Sequence, residues 1–287
     1  MAEKEIMTPD KIQLPYRDRD AHKGNFGRVC ILGGSVGYSG APVLAARAAV
    51  RTGSGLVTVL VPQPLWPIAA VKLNSAMPYP LPATEKGAFA YAGCGEALER
   101  LNRADTALIG PGMGCTDGTA EMVRFLCREL TVPLVLDADG INALEGHIDC
   151  LDDRKGRITV LTPHEGEFAR LGGKLTGNNR ETAALDFARA HGCILVLKGH
   201  RTLTAFPNGQ LVENRTGNPG MAKGGSGDVL AGMILSRRGQ GLPLEQAVPW
   251  AVCLHGQAGD MAAEELGEYG MTPTDLVKRI PLTMKRF

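Results

Sequence analysis

The sequence predicts an α/β fold: a doubly wound, mostly parallel central sheet with helices on both faces. Three observations carry this. Short apolar runs rich in β-branched residues alternate with helix-like stretches, the pattern of parallel strands buried on both sides. Each run ends in Gly, Pro or Asp and leads into a helical pattern. Glycine-rich segments follow several of the runs, and ligands in such sheets sit beyond the carboxyl ends of the strands.

The elements follow in order. RVCIL (28–32) reads as a strand, and APVLAARAAVRTG (41–53) as a helix with Pro42 near its first turn and Gly53 at its end. LVTVLVP (56–62) reads as a strand stopped by proline, and the proline-rich stretch 62–82 as irregular. TALIGPG (106–112), PLVLDAD (133–139), ITVLTP (158–163) and CILVLKG (193–199) are further strands, with helices over 118–130 and 181–192. TLTAFPNGQLVE (202–213) has Pro-Asn-Gly between two extended runs and predicts a β-hairpin. From Gly224 onward the pattern is helical, with a break near Gly239 to Pro243. No linker, repeat or low-complexity segment interrupts the 287 residues, so a single domain over 1–287 is expected, with 1–21 as an N-terminal extension.

The balance of 31 basic against 30 acidic residues offers no argument for a nucleic-acid or membrane partner. Seven cysteines stand singly with no CxxC pair, as reduced thiols of a cytoplasmic protein do. The N-terminus lacks the apolar core of a secretory signal, and no uncharged apolar run is long enough to span a bilayer.

The chemistry concentrates in the glycine-rich segments. NPGMAKGGSGDVLAGMIL (218–235) opens a helix. Amides at a helix N-terminus point outward with partial positive charge, and glycine lets a phosphate approach them. Gly224, Gly225, Ser226 and Gly227 are thus candidates for an anion hole. A P-loop would place Lys-Ser or Lys-Thr after its last glycine; here Asp228 follows. In the first helical turn the dipole favours its ionised form. It suits a base that takes the proton of a hydroxyl attacking phosphorus; the alternative is a helix cap.

GGSVGYSGAP (33–42) suits close backbone approach to a ligand, or a tight turn; the GxGxxG register of a dinucleotide fold is absent. IGPGMG (109–114) reads either way, with a turn forced by Pro111 as the alternative. In TPHEGEF (162–168), His164, Glu165 and Glu167 gather at a helix start, either as dipole and cap residues or with a carboxylate holding hydrated Mg²⁺; HEGE is not a zinc motif. In LKGHRT (197–202), Lys198, His200 and Arg201 suit nucleotide phosphates, against a solvated basic turn. Asp137 and Asp139 of LDADGIN (136–142) read as metal or loop support, or as turn and N-cap residues.

Taken together, and in this order, these segments resemble the ADP-dependent NAD(P)H-hydrate dehydratases of the ribokinase-like superfamily, from about His22 to the C-terminal helices. GGSGD alone marks the superfamily; GYSGAP with TPHEGE is more specific. The resemblance implies phosphorylation of the ring hydroxyl of the S epimer of hydrated NADH or NADPH from ADP. Elimination of phosphate then restores NAD(P)H. It implies Asp228 as base and substrate contact, and Ala41, Gly112 and His164 as contacts to the hydrate. Lys198, Gly199, His200, Arg201, Thr202, Gly225 and Gly227 would line the ADP site, and Glu167 would be linked to Mg²⁺. It also implies a homo-oligomer, often a tetramer. Many bacterial relatives carry a fused epimerase; with the match starting near His22, a separate NAD(P)H-hydrate epimerase is the expected partner. The competing readings are a small-molecule kinase of the same superfamily, acting on a vitamin precursor or sugar, a non-catalytic nucleotide binder and a nicotinamide-dependent oxidoreductase.

Overall fold

The computed structural model describes residues 4–175, 177 and 179–287. Ten strands form one sheet: β1 Lys4–Met7, β2 Arg28–Leu32, β3 Leu56–Pro62, β4 Met77–Leu81, β5 Thr106–Ile109, β6 Leu134–Leu136, β7 Thr159–Leu161, β8 Ile194–Leu197, β9 Leu203–Ala205 and β10 Leu211–Asn214. Their spatial order is β1-β10-β9-β8-β7-β6-β5-β2-β3-β4. Every neighbouring pair is parallel except those that β9 makes with β8 and β10. The chain winds outward from β2 to β4, then returns to place β5 on the other side of β2. The switch in winding therefore lies between β2 and β5, where such sheets open a crevice.

The helices are α1 Gly40–Arg51, α2 Trp66–Lys72, α3 Cys94–Asn102, α4 Asp117–Glu129, α5 Asp139–Asn142, α6 Asp149–Asp152, α7 Glu165–Arg170, α8 Arg180–His191, α9 Ser226–Gly239, α10 Leu244–Gly270 and α11 Pro273–Met284. Along each strand, side chains alternate between two separate cores. Val29, Ile31, Val57, Val59, Leu108, Val135, Val160 and Val196 join α1, α9, α10 and α11 on one face. Cys30, Leu32, Ile109, Leu134, Leu136, Leu161 and Leu197 join α3 to α8 on the other. Both faces are dry, which is why the strands read as continuous apolar runs. α1 and α9 pack closely: a Cβ on Gly232 would stand 2.2 Å from the Ala45 carbonyl oxygen.

The hairpin is β9–β10, and the break after α9 falls where it was expected. Two stretches differ from their sequence reading. Residues 62–82 are not irregular: they hold α2 and the strand β4. Prolines 78 and 80 argue against a strand, but β4 is an edge that pairs only with β3, so their missing N–H groups leave the ladder intact. The stretch 1–21 contributes the opposite edge, β1, and buries Met7 and Ile12 in the core.

Candidate active site

The carboxyl ends of β2, β5, β6, β7 and β8 lie along one edge, so five of the singled-out segments converge there. At the winding switch the loops after β2 and β5 interlock. Gly34 N–H donates to the Pro111 carbonyl (2.8 Å), and Ser35 Oγ donates to the Gly112 carbonyl (2.9 Å). Gly112 has φ +63°, and a Cβ there would meet the Tyr38 carbonyl oxygen at 2.8 Å and Ala41 Cβ at 2.9 Å. Ala41, at the start of α1, and Gly112 are thus adjoining parts of one wall.

After β6, Asp137 is 1% exposed and turns inward. Its Oδ1 accepts hydrogen bonds from Thr162 Oγ1 (2.6 Å) and Lys198 Nζ (2.9 Å). Ala138 follows at φ +49°, ψ −117°, a strained conformation for a residue with a Cβ. The surroundings enforce it: Gly110 and Gly140 pack so closely that neither tolerates a side chain. Asp139 Oδ2 accepts from Gly114 N–H (2.8 Å), tying this turn to the loop after β5.

The GGSGD segment meets this group from above. Gly225 turns the chain at φ +102°, a left-handed conformation suited to glycine, and Leu44 and Pro273 fill the space where its Cβ would be. No side chain caps α9. Its first-turn amides at Gly227 and Asp228 therefore point out without an intrahelical acceptor. A Cβ on Gly227 would stand 3.3 Å from Lys198 Nζ and 3.9 Å from Asp137 Oδ2. The bare amides, the lysine and Asp137 thus face one space.

Asp228 occupies the first turn of α9. Burial pushes its carboxyl pKa up to about 7; the negative charge of Asp137 adds to this and Lys198 opposes it. The helix dipole, expected from the sequence to keep the group ionised, is outweighed. A carboxylate that gains a proton near neutrality is matched to general-base work at that pH. Beneath the loop, the buried His255 donates from Nε2 to the Ser226 carbonyl (3.0 Å), and burial lowers its pKa to about 4.

His164 is the N-cap of α7: its Nδ1 accepts from the Gly166 and Glu167 amides, while Glu167 Oε2 accepts from His164 N–H (2.8 Å). With Nδ1 accepting, Nε2 carries a proton; it lies 3.5 Å from Glu167 Oε1, and the imidazole is otherwise half-exposed. Glu167 is buried, with Oε2 3.6 Å from Lys198 Nζ. The turn 199–201 lies exposed beside the cluster. Arg180 donates to the carbonyls of Lys198 and His200, Arg201 adopts φ +57°, and Thr202 Oγ1 donates to the Gly199 carbonyl.

The structure therefore brings together Ala41 with Gly112, and Gly227 with Lys198, which in turn contacts Glu167. Asp137, read from the sequence as metal or loop support or as a turn residue, joins them as a buried acceptor for Lys198. The structure adds Thr162, whose sequence signal was only a polar residue at a strand end. His255 had no sequence signal, lying inside a helix. Lys198 turns inward to carboxylates, away from the exposed turn that follows it.

Comparison with known proteins agrees with this geometry. The family model for NAD(P)H-hydrate dehydratase matches residues 29–282. The bifunctional NAD(P)H-hydrate repair enzyme Nnr of Moorella thermoacetica is 44% identical over 277 residues, 95% of this chain and 52% of that protein. The chain spans about half the length of such bifunctional relatives. The ADP-dependent (S)-NAD(P)H-hydrate dehydratase of Neisseria meningitidis serogroup B is 35% identical over 256 residues, 88% of this chain and 82% of that one. Among solved structures, the ADP/ATP-dependent NAD(P)H-hydrate dehydratase of Bacillus subtilis, co-crystallised with ATP and Mg²⁺, superposes with a TM-score of 0.82 at 29% identity, covering 99% of this chain and 98% of that one. A ribokinase-like superfamily protein of Enterococcus faecalis superposes at 0.85 with 27% identity, covering 99% and 96%. The match across most of the chain, with the motif segments gathered at one sheet edge, assigns this chain to the NAD(P)H-hydrate dehydratase family.

Proposed function

We propose that the chain dehydrates the S epimer of hydrated NADH or NADPH at the expense of ADP, releasing AMP and phosphate. The observation that carries this is Asp228, poised near neutrality in the first turn of a helix whose amides are bare. The hydroxyl of the hydrated ring gives its proton to Asp228, and its oxygen attacks the terminal phosphorus of ADP. The bond from phosphorus to AMP breaks. The amides at the start of α9 receive charge on the transferring group, a form of stabilisation aimed at the transition state. The ring C–O bond then breaks with its electron pair leaving on phosphate, the neighbouring ring carbon gives up a proton, and the double bond returns.

In this reading Ala41, Gly112 and His164 hold the hydrate, with the His164 Nε2–H as a donor. The turn 199–202, with Gly225 and Gly227, receives the nucleotide. The same reading makes the protein a cytoplasmic homotetramer that works alongside a hydrate epimerase activity. Supporting it are unbridged cysteines and the exposed apolar Trp66, Val71 and Met77 on α2 and β4. The longer relatives are named bifunctional repair enzymes, which supports a second repair activity acting beside this one. No helix among the described residues is long and apolar enough to cross a membrane.

The test is one cuvette holding the protein, hydrated NADH, Mg²⁺ and ADP, read by the near-ultraviolet absorbance of the dihydronicotinamide. Recovery with ADP, absent in Asp228→Asn, supports the reading. Folded protein that restores no absorbance with ADP or ATP sinks it, and nucleotide consumption with a vitamin or sugar alcohol would then identify a kinase.

A further inference from the structure

Three carboxylates from three separate segments face one ammonium group. Lys198 Nζ is 2.9 Å from Asp137 Oδ1 and 3.6 Å from Glu167 Oε2, and it lies within the field of Asp228. Each acceptor oxygen already has a second donor. Asp137 Oδ1 takes the Thr162 hydroxyl, and Glu167 Oε2 takes the His164 amide. Mg²⁺ requires near-octahedral oxygen at about 2.0–2.1 Å and is reluctant to shed water. A resident ion does not fit these oxygens while an ammonium stands against them. Among the described residues, no group of three or more acidic, histidine or cysteine side chains is arranged to hold a metal.

We propose that Lys198 is the resident cation of the nucleotide-free site, so that a divalent ion enters only on the phosphates of a nucleotide. One further observation supports this. Lys198 Nζ stands 3.3 Å from the Cβ position of Gly227, at the mouth of the bare α9 amides. An arriving phosphate therefore meets both the amides and the lysine. Lys198 would then exclude a premature metal as well as bind anions. The inference rests on the proposed function only in taking a nucleotide as the ligand.

The experiment is Mn²⁺ binding to the intact protein, followed by the loss of the free-ion electron paramagnetic resonance signal, with and without ADP. Wild type with ADP should take up Mn²⁺ at least tenfold more tightly than protein alone and more tightly than the same ADP without protein. Lys198→Met should gain at least tenfold in Mn²⁺ affinity without nucleotide, Lys198→Arg should not, and adding Asp137→Asn to Lys198→Met should reverse the gain. Circular dichroism confirms that each variant is folded; if Lys198→Met is not, the wild-type pair of titrations decides alone. Stoichiometric Mn²⁺ binding to wild type without ADP, or a folded Lys198→Met with unchanged affinity, overturns the proposal. The readout is metal binding, so a failure to dehydrate the hydrate leaves it interpretable.

Discussion

A Cβ placed on Gly110 would stand 1.8 Å from the carbonyl oxygen of Asp137. This contact locks the loop after β5 to the turn after β6, and with it the direction of the Asp137 carboxylate. Gly110 also sits at φ +129°, where side chains are rarely accommodated. Gly110→Ala is expected to lose more than about 3 kcal/mol, because the obstacle is backbone and cannot rotate away. Urea unfolding checks this; a loss under about 1 kcal/mol would mean that the two loops can separate.

Gly227→Ala gives the opposite result. Its nearest new neighbour is the end of the Lys198 side chain, and alanine favours a helix. Stability should be unchanged or rise by up to about 1 kcal/mol. Turnover should fall on the order of 100-fold, because the methyl group enters the space before the bare amides. Thermal unfolding and steady-state rates on the same preparation separate the two effects.

Asp228 links activity to pH. The base works only when deprotonated, so kcat/KM should decline as pH falls through about 7. The stability effect has a definite sign. A carboxyl with a folded pKa of about 7 against an ordinary 3.8 binds its proton more tightly in the folded state. Its ionisation therefore weakens folding progressively from about pH 4 to 7, and fully above that. With one pKa unit worth about 1.4 kcal/mol and the carboxylate partly hydrated, Asp228→Asn should stabilise the protein by about 1–2 kcal/mol at pH 8. The gain should vanish at pH 4. Equal Tm values for both proteins at pH 8 would show that the charge is not buried.

His255 should act in the other direction. Its folded pKa of about 4 lies below the ordinary 6.5. Its contribution is complete above pH 6.5 and is lost as pH falls toward 4, at up to about 1.4 kcal/mol per pH unit. Gln retains a donor for the Ser226 carbonyl without titrating. In an Asp228→Asn background, which removes the opposing slope, His255→Gln should flatten Tm between pH 7 and 5. A curve parallel to that of Asp228→Asn alone would remove His255 as the cause.

His164 has two duties that substitution can divide. Asn is a good N-cap, so His164→Asn should retain the start of α7, whereas His164→Ala should lose about 1 kcal/mol. Both should raise KM for the hydrate, since neither extends an Nε2–H donor. An unchanged KM in both would leave His164 as a cap alone.

Much of this protein was legible in its sequence. The apolar runs, their glycine ends and the helical spacing disclosed the wound parallel sheet, because burial on both faces writes itself into composition. GGSGD disclosed a helix start with exposed amides, since that is a local property of five residues. The edge strands β1 and β4 were less legible: one is short and the other carries prolines that only an edge position tolerates.

Direction and charge were decided elsewhere. Lys198 and Asp137 are 61 residues apart, and only the adjacency of β6, β7 and β8 brings them to 2.9 Å. Whether Asp228 is ionised depends on what buries it and on the charge of Asp137, not on its place at the start of a helix. The sequence by itself determined the fold class and the residue types at the site, because these follow from local hydrophobic pattern and backbone freedom. Only the tertiary structure decided which carboxylates share a cation and which one holds a proton near neutrality. Electrostatic energy depends on distance and burial in space, and neither is a function of position along the chain.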